Sequence, residues 1–321
     1  MKKEILILCC LFAVLFTGCE KDDPGFIYVK TPGTLSTLIS ESKKYQLTKL
    51  KLTGKLNGSD IRFVREMLGR DKDGNVTPGK LAILDLSEAD IVEGGGFYYS
   101  LANSKNHSIE RFMFLDCTKL TSITLPNSIV SIGQSAFEGC TGLAIINIPD
   151  SVVSIGDNAF EGCIGLTSVT IPDGVTEIGY WAFWKCTKLT AITIPNSVTK
   201  LGPAAFSGCT SLATATISNS ITVIGSDTFL DCRGLTSITI PNSVAWIEKY
   251  AFGNCTGLTE IYSENPVPPK SSTIYPFTGV NKENCTVYVP IGSYEAYKTS
   301  HIWAWSGGWY EFGNIVEIEM P

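Results

Sequence analysis

Apolar residues recur with a period of 23 positions between residues 113 and 262. The most regular of them are seven cysteines, at Cys117, Cys140, Cys163, Cys186, Cys209, Cys232 and Cys255. A phenylalanine stands three positions before each of these cysteines, and a leucine stands three positions after each. Three residue types held in register over seven units predict repeated copies of one structural unit rather than a single globular core.

The first part of each unit predicts a strand followed by a turn. In one unit, Ile123 and Leu125 alternate with Ser122 and Thr124, as in a strand with one buried face. Pro126 comes next and has no N–H to donate, so it cannot continue a strand ladder. The chain is therefore expected to turn at this proline and at its equivalents.

The second part of each unit returns the chain to the core through a short apolar pair, such as Val152 and Ile155. Gly156, which follows, is expected to make the next corner at a positive φ. One unit has too few apolar side chains to offset the entropy lost on ordering its backbone. Stacked units seal one another from water, so the sequence predicts a β-rich solenoid with parallel strands, in which each phenylalanine packs on the next.

The unit resembles the repeat of the BspA-like leucine-rich-repeat family of surface lipoproteins. It carries that family's Ala-Phe-x-x-Cys and Ile-Pro-x-Ser-Val signatures, which stand almost undisturbed between Leu235 and Thr256. The resemblance covers residues 113–262. It implies a right-handed leucine-rich-repeat coil, shaped as a horseshoe or a gently curved ribbon, and a role in adhesion or protein binding. It carries over no catalytic residues.

An amino-terminal α/β cap with an insertion is predicted at residues 34–112. Its expected elements are helices at 34–39 and 61–68 and strands at 47–52 and 81–86. Ser59 or Asp60 is expected to cap the second helix. The glycine-rich residues 94–99 predict a loop, which is either a binding loop or an irregular join.

A carboxy-terminal cap is predicted at residues 263–321, beginning with a stiff proline-rich linker at 265–269. Its expected elements are strands at 285–289 and 315–318 and a helix at 293–298. Between them stand three tryptophans, which either close the open end of the last coil or form a platform for a sugar: Trp303, Trp305 and Trp309.

The first 18 residues predict a lipoprotein signal peptide, with two lysines before an apolar run from Ile5 to Phe16. That run is too short to span a bilayer, which takes about 20 apolar residues. The four residues 16–19, Phe-Thr-Gly-Cys, resemble a lipobox. Cys19 is therefore the predicted lipid anchor, and residues 19–33 are the predicted anchor and linker.

Residues 20–23, Glu-Lys-Asp-Asp, are similar to an acidic tag that sends lipoproteins of some Gram-negative anaerobes to the outer face of the outer membrane. The alternative is an ordinary solvated linker. The predicted localisation is the outer membrane, with a lipid anchor as the membrane contact and exposure on the cell surface. A net charge of -6 and scattered Lys and Arg residues offer no basic patch, so nucleic-acid partners are not expected.

Cysteine and histidine chemistry is not expected to support a reaction. The repeat cysteines are predicted to be reduced and buried, because stacking leaves neighbouring thiols little freedom to reach disulfide geometry. The repeats lack the Cys-x-x-Cys pairs of zinc sites and the nonapeptide of calcium-binding β-rolls. His107 and His301 stand in irregular segments without a readable nucleophile nearby. The chain is thus predicted to be no enzyme and to hold no metal or cofactor.

Departures from the repeat consensus mark the candidate binding residues, because stacking does not require them. Tyr180, Trp181 and Trp184 stand where sister units have small or polar residues, and Trp246 and Tyr250 depart in the same way. Exposed Trp and Tyr are frequent anchors of protein interfaces. These residues are predicted to contact a partner, and the alternative is packing on a neighbouring coil.

The sequence therefore predicts an adhesin or protein-binding module of the cell surface, whose partners are host or bacterial surface proteins, or glycans. Two alternatives stay open. One is a glycan-binding accessory protein of a surface nutrient-uptake system, and the other is a structural protein of the cell envelope. The outward strand positions form a nearly uncharged strip of Ser and Thr, which suits either a binding role or simple solvation.

Overall fold

The computed structural model describes residues 25–271, 275–300 and 309–320, and there the chain is a parallel-strand β-solenoid, which confirms the predicted fold. The predicted signal peptide, Cys19, His301, Trp303 and Trp305 lie outside the described residues. Within the described ranges, the longest helix has ten residues, and no helix could cross a membrane.

The amino-terminal cap combines short helices with the first strands of the solenoid. Its elements are β1 (Phe26–Val29), α1 (Leu35–Leu38), α2 (Glu41–Lys44), β2 (Lys49–Leu56), α3 (Gly58–Met67), β3 (Ile83–Ile91), β4 (Gly94–Tyr99) and β5 (Ala102–Ser104). β1 pairs in parallel with β2, although it lies in the segment predicted as anchor and linker. β4 and β5 form an antiparallel hairpin where the glycines predicted a loop.

The cap of α3 differs from the prediction by a few residues. Asn57 is the capping residue, since its side chain accepts the N–H of Ser59, and Asp60 accepts the N–H of Asn57 in return. Buried Arg65 on the same helix donates to the carbonyl oxygens of Phe112 and Met113, each at 3.0 Å. This guanidinium joins the cap to the first coil.

The coils of the array contribute strands to two parallel sheets, except that the coil of Ser168 makes only an isolated bridge to Ile145 in the first sheet. The first sheet takes the predicted strands β7 (Ser122–Thr124), β9 (Ile145–Asn147), β12 (Ala191–Thr193), β14 (Thr214–Thr216) and β16 (Ser237–Ile240). The second sheet takes two-residue strands that the sequence pattern did not predict as strands: β6 (Ser108–Ile109), β8 (Ser131–Ile132), β10 (Ser154–Ile155), β11 (Glu177–Ile178), β13 (Lys200–Leu201), β15 (Val223–Ile224) and β17 (Trp246–Ile247).

The strands pair in register along the array, so that Ser122 faces Ile145 and Ser154 faces Glu177. Each sheet is interrupted once. The first sheet runs from β1 through β2, β3 and β7 to β9 and resumes at β12, while the second is interrupted between β13 and β15. Because the two interruptions fall on different coils, the array remains continuous.

A column of phenylalanines fills the interior, as the repeat predicted. From Phe114 to Phe252, successive rings lie 5.1–5.7 Å apart and within 14° of parallel. Phe277 continues the column beyond the last regular unit, at 5.3 Å from Phe252. The rings of the regular units are completely buried, so each coil seals the core of the next.

The cysteine column is buried, as predicted, and its thiols are free. Six of them donate a hydrogen bond to a phenylalanine carbonyl of the preceding coil, as Cys140 Sγ does to the oxygen of Phe114 at 3.0 Å. Burial raises the pKa of Cys117 to about 11 and that of Cys209 to about 12. The thiols therefore act as small buried donors.

The predicted positive φ at Gly156 is wrong. Glycine is required there by close approach, because a β-carbon would lie 2.8 Å from the backbone nitrogen of Gln134 in the preceding coil. The left-handed residues of this coil are instead Asn158 and Gly162, with φ of 58° and 67°. The same two positions are left-handed in the other regular coils.

The carboxy-terminal cap contains β18 (Glu260–Ser263), β19 (Thr286–Pro290), α4 (Tyr294–Thr299) and β20 (Asn314–Ile318). All three strands continue the first sheet in parallel. Trp309 is buried, its ring packs edge-on against Phe277 and Tyr297, and its indole N–H donates to the oxygen of Pro269. For this tryptophan, the prediction of a cap core is confirmed.

We expect Phe183→Ala to lower the free energy of unfolding by about 3–5 kcal/mol, because the cavity lies between two stacked coils that cannot collapse onto it. Equilibrium unfolding in urea measures this loss. Phe26→Ala is the matched control, since Phe26 is 60% exposed, and its effect should stay within about 0.5 kcal/mol. Equal effects of the two substitutions would contradict a stability that rests on the phenylalanine column.

The raised thiol pKa values predict a loss of stability at alkaline pH. Below pH of about 8.5, the thiols are protonated in both the folded and the unfolded state. Above it, the unfolded chain releases protons that the folded chain retains, so the free energy of unfolding falls as pH rises. Between pH 8.5 and 10.5, measured in urea with reductant present, this fall should be smaller in Cys209→Ala by on the order of 2 kcal/mol.

Candidate binding surface

Three of the predicted binding residues lie together on the coil that contains β11. Tyr180 and Trp181 are 50% and 47% exposed, with ring centroids 6.4 Å apart. Trp184 is half-buried, and Lys185 Nζ lies 3.8 Å from its ring centroid, within range of a cation–π contact. We call Tyr180, Trp181 and Trp184 the aromatic patch.

The backbone does not favour the residues that this coil uses. Trp181 has a φ of 54° and Lys185 a φ of 58°, the left-handed region in which a side chain beyond glycine or asparagine is costly. The preceding coil has Asn158 and Gly162 at these two positions. Neither Trp181 nor Lys185 is therefore explained by the local conformation.

Aromatic residues at the same left-handed position of other coils pack against neighbours. Phe112 lies 5.8 Å from Tyr99, and Tyr250 lies 5.7 Å from Tyr275. Tyr250 is half-buried, in agreement with the alternative of local packing. Trp181 differs, because its recorded ring contact is with Tyr180, which is itself half exposed.

Trp246 lies three coils beyond the aromatic patch, which corresponds to roughly 14 Å along the solenoid at about 4.8 Å per strand. Its side chain is 41% exposed on β17, and Lys270 Nζ lies 5.9 Å from its ring centroid. The structure thus brings Tyr180, Trp181 and Trp184 together and places Trp246 and Tyr250 apart from them.

A groove of about 320 Å³ adjoins Tyr180, over the interruption between β13 and β15. Residues of four successive coils line it, among them Asp157, Glu177, Tyr180, Lys200, Leu201, Pro203, Thr222 and Val223. We call it the seam groove. The repeat pattern does not predict this groove, although Pro203 and Ser218 depart from the repeat on either side of it.

Three charged side chains line the seam groove, and two of them pair with each other. Glu177 and Lys200 form an ion pair at 3.5 Å on its rim, and both are exposed. Asp157 accepts the N–H of Tyr180 at 2.8 Å. Apart from this ion pair, the lining therefore carries the negative charge of Asp157.

The outward side chains of the first sheet form the hydroxyl strip that the sequence predicted. Parallel register aligns them in two rows across the array. These rows are Ser122, Ile145, Ser168, Ala191, Thr214 and Ser237, and Thr124, Asn147, Thr170, Thr193, Thr216 and Thr239. The second row continues into Tyr262 and Tyr288, whose rings stack at 4.6 Å.

The one histidine in the described ranges pairs with a carboxylate at the surface. His107 Nδ1 lies 3.2 Å from Asp90 Oδ1, and Ser128 Oγ lies 3.2 Å from the same oxygen. The serine thus contacts the carboxylate rather than the imidazole that would have to activate it. In the part of the chain that the structure describes, no three His, Cys, Asp or Glu side chains cluster as metal ligands would.

Solved structures to which this chain is similar include bacterial leucine-rich repeat proteins. A leucine-rich repeat protein from Bacteroides ovatus is 28% identical, with 59% of this chain and 61% of that protein covered and a TM-score of 0.44. The T. pallidum leucine rich repeat protein is also 28% identical, over 55% of this chain and 72% of that one, with a TM-score of 0.40. The match thus spans less than two thirds of the Bacteroides ovatus protein.

A leucine rich cell surface protein from Faecalibacterium prausnitzii is 20% identical, over 86% of this chain and 82% of that one, with a TM-score of 0.35. No curated protein matches the chain. The family model for the BspA type leucine rich repeat region matches six copies, at residues 107–233 and 182–283, which together span more than half of the sequence. The chain therefore belongs to the BspA type leucine rich repeat family.

Proposed function

We propose that this protein is a lipid-anchored protein of the bacterial cell surface that binds another protein through the aromatic patch. The observation that carries the proposal is the exposure of Tyr180 and Trp181 on a coil whose backbone would favour Asn and Gly. Stacking does not require these residues and the backbone disfavours them, so they call for a role other than folding. Contact with a partner supplies one.

The chemistry of the patch supports a protein partner. Rigid aromatic side chains bury a large area on contact and lose little conformational entropy. Lys185, held over Trp184, adds a positive charge beside the aromatic rings. Trp246 gives a second exposed anchor roughly 14 Å along the same array, so a partner that spans several coils would reach both.

The amino-terminal sequence supports the proposed anchor. A signal peptide ending before Cys19 would export the chain, and acylation of that cysteine would hold it on a membrane. Six residues lie between Cys19 and the first residue of β1, so a fully extended chain would reach at most roughly 23 Å from one to the other. The solenoid would then stand clear of the lipid with its surface open to partners.

A swap to the residues of the preceding coil tests the aromatic patch. In this variant, Tyr180→Asp, Trp181→Asn, Trp184→Glu and Lys185→Gly are combined. We expect binding to an array of purified extracellular-matrix and bacterial surface proteins to fall by at least about tenfold, as for loss of interface anchors. The free energy of unfolding should not fall. It should rise by on the order of 1 kcal/mol, because Asn and Gly relieve backbone strain at the left-handed positions 181 and 185.

The control for this swap is Tyr28→Ala, which removes an aromatic side chain that is 59% exposed on β1. It should leave binding unchanged, whereas Trp246→Val should weaken binding less than the swap does. Undiminished binding by the swapped variant, with its fold intact by circular dichroism, would refute the proposed role of the patch.

We expect Cys19→Ala to abolish incorporation of labelled palmitate and to release the protein from the membrane fraction, because the acyl chains provide the membrane affinity. Metabolic labelling and cell fractionation measure the two effects, and protease accessibility on intact cells measures surface exposure of the unaltered protein. Cys10→Ala, which alters a cysteine within the signal peptide, is the control and should leave both unchanged. Continued acylation of Cys19→Ala would contradict the anchor.

A further inference from the structure

The second sheet lacks two backbone hydrogen bonds at the seam groove. Elsewhere along this sheet, the glycine after the strand donates to the preceding coil, as Gly179 does to Ile155 and Gly202 does to Ile178, each at 2.8 Å. Among the described residues, neither Thr222 nor Gly225 makes the corresponding bond. The carbonyls of Thr199 and Leu201, which would accept these bonds, therefore face the groove unpaired.

Pro203 explains why the backbones of the two coils do not meet at the seam groove. The counterpart glycines approach the preceding backbone so closely that a β-carbon on Gly202 would lie 2.4 Å from Gly179. A β-carbon on Gly225 would meet the ring of Pro203 at 3.5 Å, an ordinary contact. The pyrrolidine ring thus occupies the space through which the next coil would approach.

Ser218 is a second departure from the repeat near the seam groove, and it stands before β15 in the chain. It stands where other units have proline, and its buried Oγ donates to the oxygen of Val198 at 2.8 Å. The opening leaves Leu201 half-buried, whereas its counterparts Ile178 and Ile224 are buried. The groove therefore has an apolar floor that a regular coil would cover.

The opening is too narrow for a peptide strand. An inserted strand would need its two neighbours about 9.6 Å apart, twice the usual spacing. The rings of Phe206 and Phe229, which span the seam, are 5.7 Å apart, against 5.1–5.5 Å elsewhere in the column. The main-chain ladder continues at the next corner, where Ala204 donates to Ser226 at 2.9 Å. A ligand must therefore lie in the groove rather than extend the sheet.

The free groups in the groove call for a ligand that both donates and accepts hydrogen bonds. The carbonyls of Thr199 and Leu201 need donors, and the N–H of Thr222 needs an acceptor. A carboxylate or phosphate only accepts, and an ammonium group only donates. A hydroxyl group does both. The ion pair of Glu177 with Lys200 leaves the carboxylate of Asp157 as the charge of the lining without an ion-pair partner, and this negative charge would repel an anionic ligand.

We propose that the seam groove binds a neutral carbohydrate, with hydroxyl groups on the unpaired backbone of Thr199, Leu201 and Thr222 and a sugar ring against Tyr180. The volume of about 320 Å³ lies at the lower end of the roughly 300–1,000 Å³ of small-molecule sites. Leu201 and Pro203 provide the apolar floor for the C–H face of the ring. This activity goes beyond protein binding and needs no protein partner.

The test restores the repeat at the seam. Pro203→Asp with Ser218→Pro introduces the residues of sister coils and should close the groove while leaving the aromatic patch unchanged. The full chain is applied to an array of neutral oligosaccharides, including maltohexaose, cellohexaose, xylohexaose and mannohexaose, with hexagalacturonic acid as the charged comparator. We expect binding to at least one neutral oligosaccharide, lost in the restored variant and weakened about tenfold or more in Tyr180→Ala.

Hydrogen–deuterium exchange keeps the test independent of folding defects. The amide of Thr222 should exchange faster than that of its counterpart Ala245, and bound oligosaccharide should slow it. Leu201→Trp fills the groove without altering the seam and should also abolish binding. A mannose-bearing glycoprotein, compared with its deglycosylated form, shows whether the sugar is recognised on a protein or as a free polysaccharide.

Binding that survives both Tyr180→Ala and Leu201→Trp would overturn the proposal, as would the absence of binding to every neutral oligosaccharide on the array. Preference for hexagalacturonic acid would also overturn it. The control Trp184→Glu should keep carbohydrate binding and lose protein binding, whereas the restored variant should do the reverse. These two variants thus distinguish a failure of the proposed carbohydrate binding from a failure of the proposed protein binding.

Discussion

Contact between neighbouring coils is the constraint on which the rest of the molecule depends. A two-residue strand, a phenylalanine ring and a cysteine thiol each find their partner in the adjacent coil, as Phe160 does on Phe183 and Cys186 does on the carbonyl of Phe160. One coil alone would leave these groups exposed or unpaired. The interior is therefore specified by side chains that recur every 23 residues and stack on their counterparts. The two ends have no further coil to cover them, so other residues close them, such as Arg65 and Trp309.

Stacking determines which residues can fill the interior. The features that distinguish one coil from another are therefore departures from the repeat. Two kinds occur close together. The aromatic patch adds side chains at a corner without disturbing the core, whereas Pro203 and Ser218 alter the spacing between two coils. The first kind enlarges the contact surface, and the second opens a groove beside Tyr180. An array can tolerate both, since the first sheet pairs continuously across the coils where the second is interrupted.

The comparison of pattern with structure shows which inferences a sequence supports. The strands of the first sheet and the buried phenylalanine and cysteine columns were predicted, because each follows from alternation or recurrence along the chain. The corner at Gly156 was misjudged, because the need for glycine comes from the backbone of Gln134 in another coil. The hairpin that begins at residues 94–99 was missed for a similar reason. Three successive glycines indicate conformational freedom of the backbone, and the sequence does not show that β5 pairs with them.

The sequence by itself determined the solenoid, its period, its core residues and the coil on which the aromatic departures fall, because all of these are repeated local patterns. Only the tertiary structure decided which departures are exposed. Tyr250 packs on Tyr275, while Trp181, at the same position of its coil, stays half exposed. The tertiary structure alone also revealed the unpaired backbone beside Pro203, since a gap between coils depends on the distance between residues more than 20 positions apart.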